Sequence, residues 1–173
     1  MTCPPQNEAS VDGVKADPAK VEEVHHWVTL TTCVKVWRFM GLANYFLQYI
    51  KHFSVLAAQL SSLTGPWAKL CRGDSKQHSF ETLKQDLCLS PVLSIWQPGS
   101  KALLTTDALK VATLAVLEQL VNREWHPVAF ESRKLAALEQ HYTPVCLELL
   151  AVVLAFKVLH LWLLDGKFDL RTD

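Results

Sequence analysis

The chain has 173 residues, of which 50% are hydrophobic and 20% are charged, so it is long and apolar enough to bury a core. This composition excludes intrinsic disorder over the whole length. Seventeen Lys and Arg residues balance seventeen Asp and Glu residues. Such a balance gives no support to nucleic acid as a partner, because phosphate contacts require an excess of cations.

The five cysteines are widely spaced and form no Cys-x-x-Cys pair. This pattern predicts thiols in a reducing compartment, which places the chain inside the cell, in the cytoplasm or the nucleus. Residues 1–10 are polar and lack the apolar stretch of a signal peptide. We therefore predict a disordered leader over residues 1–12.

The first half of the chain is predicted to be helical. Asp17 is a suitable N-cap and Pro18 a suitable first residue for a short helix that runs to about Trp27. Thr31 or Thr32 is expected to cap a second, longer helix.

The apolar face of that second helix has members three and four positions apart, at positions 39, 42, 43, 46, 50 and 53. Gly65 and Pro66 interrupt this pattern, and residues 66–76 are predicted to form a linker. A further helix is expected to end at Ser90-Pro91.

The second half changes to strands. Short β-prone runs predict strands over residues 102–106, 113–120 and 127–130. A long helix is expected to follow, with Thr143 as its N-cap and Pro144 as its first residue. It should end at Asp165-Gly166, before a last strand over residues 167–172. The first of these strands should be central, because its uninterrupted apolar run suits burial on both faces.

The long helix contains the most membrane-like segment, residues 145–164. This segment carries Glu148, Lys157 and His160, and a charge at the bilayer centre costs about 2.5–3.5 kcal/mol on insertion scales. We therefore expect a buried core helix and no membrane partner, with a membrane span as the alternative.

Eight short strings occur in one order along residues 13–173, and together they resemble the Pol polyprotein of gypsy-type LTR retrotransposons. The strings are GVKADPAKVEEV (13–24), FMGLANY (39–45), FETLK (80–84), SPVL (90–93), TDA (106–108), HPVAFESRKL (126–135), ELLA (148–151) and RTD (171–173). The resemblance spans the junction between reverse transcriptase and ribonuclease H. No Tyr-x-Asp-Asp string occurs, so the polymerase's paired catalytic aspartates are absent from this chain.

The resemblance implies an α+β fold in two parts. Residues 13–65 are similar to the end of the polymerase palm and its helical thumb. Residues 77–173 are similar to the connection and a truncated ribonuclease H-like domain, which has a mixed β-sheet and a long core helix. If the last strand and helix of the family are missing, the uncovered sheet edge should promote self-association.

The family hydrolyses the RNA strand of RNA–DNA hybrids with two Mg²⁺ ions, which several carboxylates from distant chain positions must hold. The resemblance implies that Asp107, Glu148 and Asp173 are the catalytic metal ligands. From the residues alone, Asp107 could cap a turn, Asp173 could be an exposed terminal residue, and Glu148 could favour the positive end of its helix. However, Glu148 lies in an apolar segment, where an uncompensated charge is costly.

Several departures from the family pattern predict a poor catalyst. The string after TDA begins with Leu109, and Ala112 and Leu114 replace a small, glycine-rich turn. The thumb string lacks the two arginines that commonly follow it, and Cys146 stands where a helix-capping Glu is usual. The chain also ends at Asp173, so a further acidic or His ligand is expected to be missing.

Two functions remain open from the sequence. The first is the ribonuclease H-like part of a retrotransposon reverse transcriptase, inactive as this isolated chain. The second is a non-catalytic remnant that only binds nucleic acid or another protein weakly. Arg133 and Lys134 are expected to be solvated.

Overall fold

The computed structural model describes residues 8–10, 13–27, 32–50, 52–61, 74–89, 92–164 and 167–172. Within these residues the chain forms a helical first part and a second part built on a four-stranded sheet with one long helix. The predicted α+β class and the predicted order of three strands, one helix and one strand are both confirmed.

The helical part begins with a small antiparallel pair, β1 (Glu8–Ser10) and β2 (Gly13–Lys15). Four helices follow, and their bounds are α1 (Pro18–His25), α2 (Cys33–Tyr45), α3 (Phe53–Ser61) and α4 (Asp74–Cys88). Their buried faces share one core, which includes Phe39, Phe46, Phe53, Phe80 and Leu83.

The helix starts follow the local capping chemistry. The side chain of Asp17 accepts a hydrogen bond from the backbone N–H of Ala19 at 2.9 Å, at the start of α1. The Thr32 hydroxyl accepts one from the backbone N–H of Lys35 at 3.3 Å, at the start of α2. Each cap satisfies a backbone donor that has no partner inside its helix. Both predicted helix starts are confirmed, with Thr32 as the N-cap of α2.

Two predictions for the first half are wrong. Glu8–Ser10 is a strand rather than disordered, because it pairs with Gly13–Lys15. The apolar pattern from position 39 to 53 does not form one helix: α2 ends at Tyr45, and a short 3₁₀ turn, Leu47–Tyr49, leads into α3. Positions 46 and 50 stay buried in the bend, so a broken helix gives the same periodicity.

The expected linker begins inside the undescribed segment 62–73, but residues 74–76 belong to α4. The predicted break at Gly65-Pro66 and the predicted stop at Ser90-Pro91 also lie outside the described residues. The last helical residue before that stop is Cys88. The proposed division at residues 65 and 77 remains a prediction. Even so, Phe80, Leu83 and Leu87 of α4 belong to the same core as α2 and α3.

The second part is built on four strands, β3 (Ala102–Ala108), β4 (Ala112–Val121), β5 (Glu124–Lys134) and β6 (Phe168–Arg171). Their order across the sheet is β5-β4-β3-β6, with β6 parallel to β3 and the other pairs antiparallel. The prediction that the strand from Ala102 is central is confirmed, since β3 has a neighbour on both sides.

The strand β5 is longer than the four residues predicted for it. It forms a hairpin with β4 through Asn122 and Arg123, whose φ angles are 51° and 71°. Two successive positive φ angles are typical of the tight turns that match the twist of paired strands. Pro127 lies where the β4–β5 register shifts, and a bulge tolerates proline because the ladder is already interrupted there. The strand therefore continues past the proline.

The long helix α5 (Pro144–Leu163) starts as predicted, with the Thr143 hydroxyl accepting from the backbone N–H of Cys146 at 3.4 Å. The expected stop at Asp165-Gly166 lies outside the described residues. One stripe of α5 is buried against the sheet: Leu147, Ala151, Ala155 and Leu159. The opposite side exposes Val145, Leu149, Val153, Leu161 and Leu164. The expected core helix is therefore buried on one side only, because the sheet covers only that side.

By length and composition, α5 is the one helix among the described residues that is apolar enough to cross a membrane. Its buried stripe nevertheless packs with Ala102 and Leu104 of β3 and with Leu117 of β4 in one core. This is the arrangement of a helix that covers a sheet.

A buried glutamine ties the connection between the two parts to the sheet. The side chain of Gln119, on β4, is fully buried. Its oxygen accepts from the backbone N–H of Gln97 at 2.9 Å, and its nitrogen donates to the Ser94 hydroxyl and the Ile95 carbonyl at 2.6 Å each. The backbone N–H of Ser54 on α3 donates to the Ser132 hydroxyl on β5 at 3.1 Å. These bonds fix the helical part and the sheet against one another.

Candidate ribonuclease H-like site

The first predicted ligand, Asp107, is the next-to-last residue of β3 and is half-buried. It lies opposite Leu114 of β4. Side chains alternate between the two faces of a strand, so Asp107 and its neighbour Thr106 leave the strand on opposite faces. Thr106 is buried, and its hydroxyl has no hydrogen-bond partner among the described residues.

The second predicted ligand, Glu148, lies in the second turn of α5 and is half-buried. It precedes Ala151 by three positions and Ala155 by seven, so it belongs to the stripe of the helix that faces the sheet. One of its carboxylate oxygens, Oε2, is buried. The structure thus places a carboxylate at the N-terminal end of an otherwise apolar contact.

Asp107 and Glu148 lie at the same end of the sheet. The rings of Phe156 on α5 and Phe168 at the start of β6 are 5.7 Å apart, so the C-terminal half of α5 is near the first residues of the parallel strands. Ala155 shares a core with Leu104. Glu148 is about 10 Å along the helix from Ala155, and Asp107 is about 10 Å along the strand from Leu104. The distance along the helix from Ala155 to Glu148 therefore matches the distance along the strand from Leu104 to Asp107, which brings both carboxylates to the same end of the sheet.

The faces of β3 limit how the two carboxylates can meet. The α5 helix packs on the face that carries Ala102 and Leu104, and alternation gives that face to Thr106 rather than to Asp107. A shared metal ion therefore requires the carboxylates to meet beyond the end of the strand, where only Ala108 follows Asp107.

The third predicted ligand, Asp173, lies outside the described residues. Within the described ranges, which stop at residue 172, no group of three or more His, Cys, Asp or Glu side chains is arranged to hold a metal ion. The assignment of Asp107, Glu148 and Asp173 as catalytic metal ligands remains a prediction.

The residues expected to depart from the family pattern lie in the turn between β3 and β4 and opposite Asp107. Ala112 and Leu114 are both buried in β4. The backbone N–H of Leu109 donates to the Ala112 carbonyl at 2.9 Å, which closes the turn between β3 and β4. The turn is thus formed without the small, glycine-rich sequence of the family. The Leu114 side chain occupies the position opposite Asp107.

An ion pair that the sequence did not predict begins on β5, at the edge of the sheet opposite β6. Arg133 Nη2 donates to both carboxylate oxygens of Glu139, at 2.8 and 2.9 Å. The bonds from Arg133 and from the backbone N–H of Ala136 hold the pKa of Glu139 below its usual value. Arg133 was expected to be solvated; its side chain is 40% exposed and also forms this ion pair. The two residues are six positions apart across a turn, a spacing with no helical or strand signature.

Glu131 lies on the same strand and faces the same side as Arg133. Both line a small cavity of about 30 Å³ under α5, together with Thr113 and Ala151. Burial raises the pKa of the Glu131 carboxyl, because an apolar environment disfavours its charged form.

The exposed surface of the helical part carries a groove between α1 and α2 with a volume of about 390 Å³. Its lining includes Trp27, Lys35 and Arg38, together with Glu23 and His26. Cations beside an aromatic ring are a common combination in sites that bind phosphate-bearing polymers.

Comparison with known proteins gives the family. The model of the RNase H-like domain found in reverse transcriptase matches residues 73–170, more than half of the chain. The Pol polyprotein of transposon opus from Drosophila melanogaster is 31% identical over 95% of this chain. That of transposon gypsy, from the same organism, is 32% identical over 95% of it. The chain spans 18% and 17% of these two relatives, less than a fifth of either.

Solved structures show the same fold over almost the whole chain. The foamy viral protease-reverse transcriptase in complex with dsDNA matches 99% of this chain and 36% of its own, with a TM-score of 0.78 and 16% identity. The same viral protein in complex with an RNA/DNA hybrid matches 96% of this chain and 23% of its own, with a TM-score of 0.77 and 15% identity. At these identities the likeness concerns the fold. The chain belongs to the family of RNase H-like domains found in reverse transcriptases, in the setting of a retrotransposon Pol polyprotein.

Proposed function

We propose that the C-terminal end of β3 is the divalent-metal site of an RNA–DNA hybrid endonuclease in the longer Pol polyprotein. Asp107, Glu148 and Asp173 would hold Mg²⁺, whose bound form stabilises the attacking water and the leaving oxygen of a phosphodiester. Carboxylate oxygens are the donors that Mg²⁺ prefers, so the residues fit the ion in type.

The observation that carries the proposal is the placement of Asp107 and Glu148 at one end of the sheet, each half-buried. The register of β6 supports the third ligand. Arg171 pairs with Thr105 in parallel, and Asp107 follows Thr105 by two positions as Asp173 follows Arg171.

The isolated chain is proposed to be inactive. A metal site needs ligands held within a fraction of an ångström, because small displacements remove transition-state stabilisation. Leu114 lies opposite Asp107 where the family has a small residue, and the balanced charge of the chain provides little attraction for nucleic acid.

Mn²⁺ binding tests the proposed metal site independently of catalytic activity. We expect Mn²⁺ to bind the isolated chain weakly, and Asp107→Asn and Glu148→Gln each to lower the affinity at least about tenfold, measured by electron paramagnetic resonance. Glu124→Gln, at the distant β4–β5 turn, is the control. Equal Mn²⁺ affinity in all four proteins would reject the metal site.

The cleavage assay uses an RNA–DNA hybrid with Mg²⁺ or Mn²⁺, and we expect no product above background. Metal-dependent cleavage that Asp107→Asn abolishes would instead show that the chain is an active enzyme.

The second candidate function is weak binding of nucleic acid or protein without catalysis. The groove lined by Trp27, Lys35 and Arg38 favours it, because it supplies cations beside an aromatic ring that is itself partly buried against Phe39. Binding of an RNA–DNA hybrid that Lys35→Ala/Arg38→Ala weakens, and that Asp107→Asn leaves unchanged, would support this function.

We also propose an intracellular location, in the cytoplasm or nucleus, which is consistent with the free thiols of Cys88 and Cys146.

A further inference from the structure

The carboxylate of Glu139 holds the turn between β5 and α5 through hydrogen bonds. Glu139 accepts two hydrogen bonds from Arg133 Nη2, at 2.8 and 2.9 Å, and its Oε2 also accepts from the backbone N–H of Ala136 at 2.7 Å. Charge-assisted bonds of this kind are shorter and stronger than neutral ones. The Glu139 side chain thereby joins the end of β5 to the turn that follows it.

The same turn leads directly into α5. The backbone N–H of Tyr142 donates to the Glu139 carbonyl at 3.0 Å, and Thr143 comes next as the N-cap. The Thr143 carbonyl accepts from the backbone N–H of Leu147 at 3.0 Å, which closes the first turn of the helix. These backbone hydrogen bonds connect Glu139 to the start of α5.

Arg133 also reaches beneath α5. It lines the cavity of about 30 Å³ together with Ala151 and Ala155, which belong to the buried stripe of the helix. Its Nε atom is buried and has no hydrogen-bond partner among the described residues. The Arg133 side chain is 40% exposed, but the part of it that lines this cavity couples the helix to the sheet, because close-packed interiors transmit strain.

We propose that the Arg133–Glu139 pair is a positioning device for Glu148, an inference that rests on the proposed metal site. Glu148 lies between the two points that the pair controls, the cap at Thr143 and the packing contact at Ala151. Metal ligands require outer partners that fix their orientation. Here the fixing acts through the placement of the helix, since Arg133 and Glu139 themselves are positioning residues and not ligands.

Two readouts on the full chain test the proposal, with Glu139→Ala and Glu139→Gln as variants and Glu124→Gln as the control. Hydrogen–deuterium exchange of the amides of residues 146–150 should become about tenfold faster in Glu139→Ala, while exchange at residues 155–163 and in β3 stays unchanged. The Mn²⁺ affinity should fall about 10- to 100-fold. Glu139→Gln keeps one acceptor oxygen and should lie between the wild type and Glu139→Ala in both measurements.

The outcomes separate this proposal from the metal site itself. If the wild type binds no Mn²⁺, the metal site fails and the positioning of Glu148 as a ligand fails with it. If Mn²⁺ binds the wild type and Glu139→Ala alike, the positioning role is overturned although the metal site stands. Faster exchange spread evenly over the chain would also overturn it, because it would reveal a general loss of stability rather than a local one.

Discussion

At the scale of single residues, the structure gives several charged side chains surroundings that the sequence did not predict. Glu131 and Arg133 alternate along β5 with Ser132, and both face the underside of α5. Arg133 is satisfied in part by Glu139, whereas Glu131 is half-buried against the apolar side chains of the helix. Substitutions of Glu131 and of Arg133 should therefore change the free energy of unfolding differently.

Glu131→Gln is expected to raise the free energy of unfolding at pH 7. Burial raises the folded-state pKa of this carboxyl, so its favourable contribution is present below the unfolded pKa and is lost as pH rises through the folded pKa. The gain should be below about 1 kcal/mol, because the side chain is partly screened by solvent. It should vanish below about pH 4, where the carboxyl is protonated in both states.

Urea unfolding of the two proteins, followed from about pH 3.5 to about pH 8, measures this difference. The range of about 4.5 pH units includes the ordinary Glu pKa. The exposed Glu124→Gln serves as the matched variant and should show no such pH-dependent gain. A difference between Glu131→Gln and wild type that is constant over the whole range would contradict the prediction.

At the scale of elements, a glycine controls how β2 meets the connection between α4 and β3. Gly13 has a φ of +137°, and a Cβ built on it would lie 2.4 Å from the carbonyl oxygen of Leu93. Val14 and Leu93 exchange backbone hydrogen bonds at 2.7 and 3.0 Å. The close approach exists because a residue without a side chain allows the two backbones to bond directly.

Gly13→Ala is expected to destabilise the protein by about 1–3 kcal/mol, because alanine at this φ is strained and its Cβ meets fixed backbone. Gly41→Ala is the matched control. Gly41 lies in α2 with nothing within 4 Å of a built Cβ, and alanine should stabilise a helix interior by about 0.5–1 kcal/mol. Thermal unfolding that shifts in the same direction for both variants would disprove this explanation.

At the scale of the whole molecule, two surfaces are open to association. The strand β6 is at the edge of the sheet. The exposed side of α5 carries Val145, Leu149, Leu161 and Leu164, each at least 63% exposed. Exposed apolar area of this extent and an unpaired strand edge both favour contacts between copies.

We predict that the isolated chain forms oligomers or precipitates as its concentration increases, measured by sedimentation velocity and light scattering. Leu149→Lys/Leu161→Lys should shift the distribution toward the monomer, because charges on the exposed stripe oppose its burial. Lys157→Gln, on the same helix, is the control for a general effect of charge. A monodisperse wild-type monomer at high concentration would contradict the prediction.

The sequence by itself determined the elements that rest on local chemistry. Asp17, Thr32 and Thr143 are caps in the structure because a cap needs only a side chain within three residues of the orphan N–H. The strand at Ala102 was recognisable as central because its apolar run had no polar alternation. The family strings also placed Asp107 and Glu148 in the correct elements, β3 and α5.

Only the tertiary structure decided which long-range contacts form. The bend between α2 and α3 has the same apolar periodicity as a continuous helix, so packing around Phe46 and Ile50 decides it. The exposed side of α5 follows from a sheet that covers one face, which no local pattern encodes. Arg133 and Glu139 meet across a turn, and Gln119 reaches 22 to 25 positions back along the chain. Such pairs depend on where distant segments lie, and that placement is a property of the folded core.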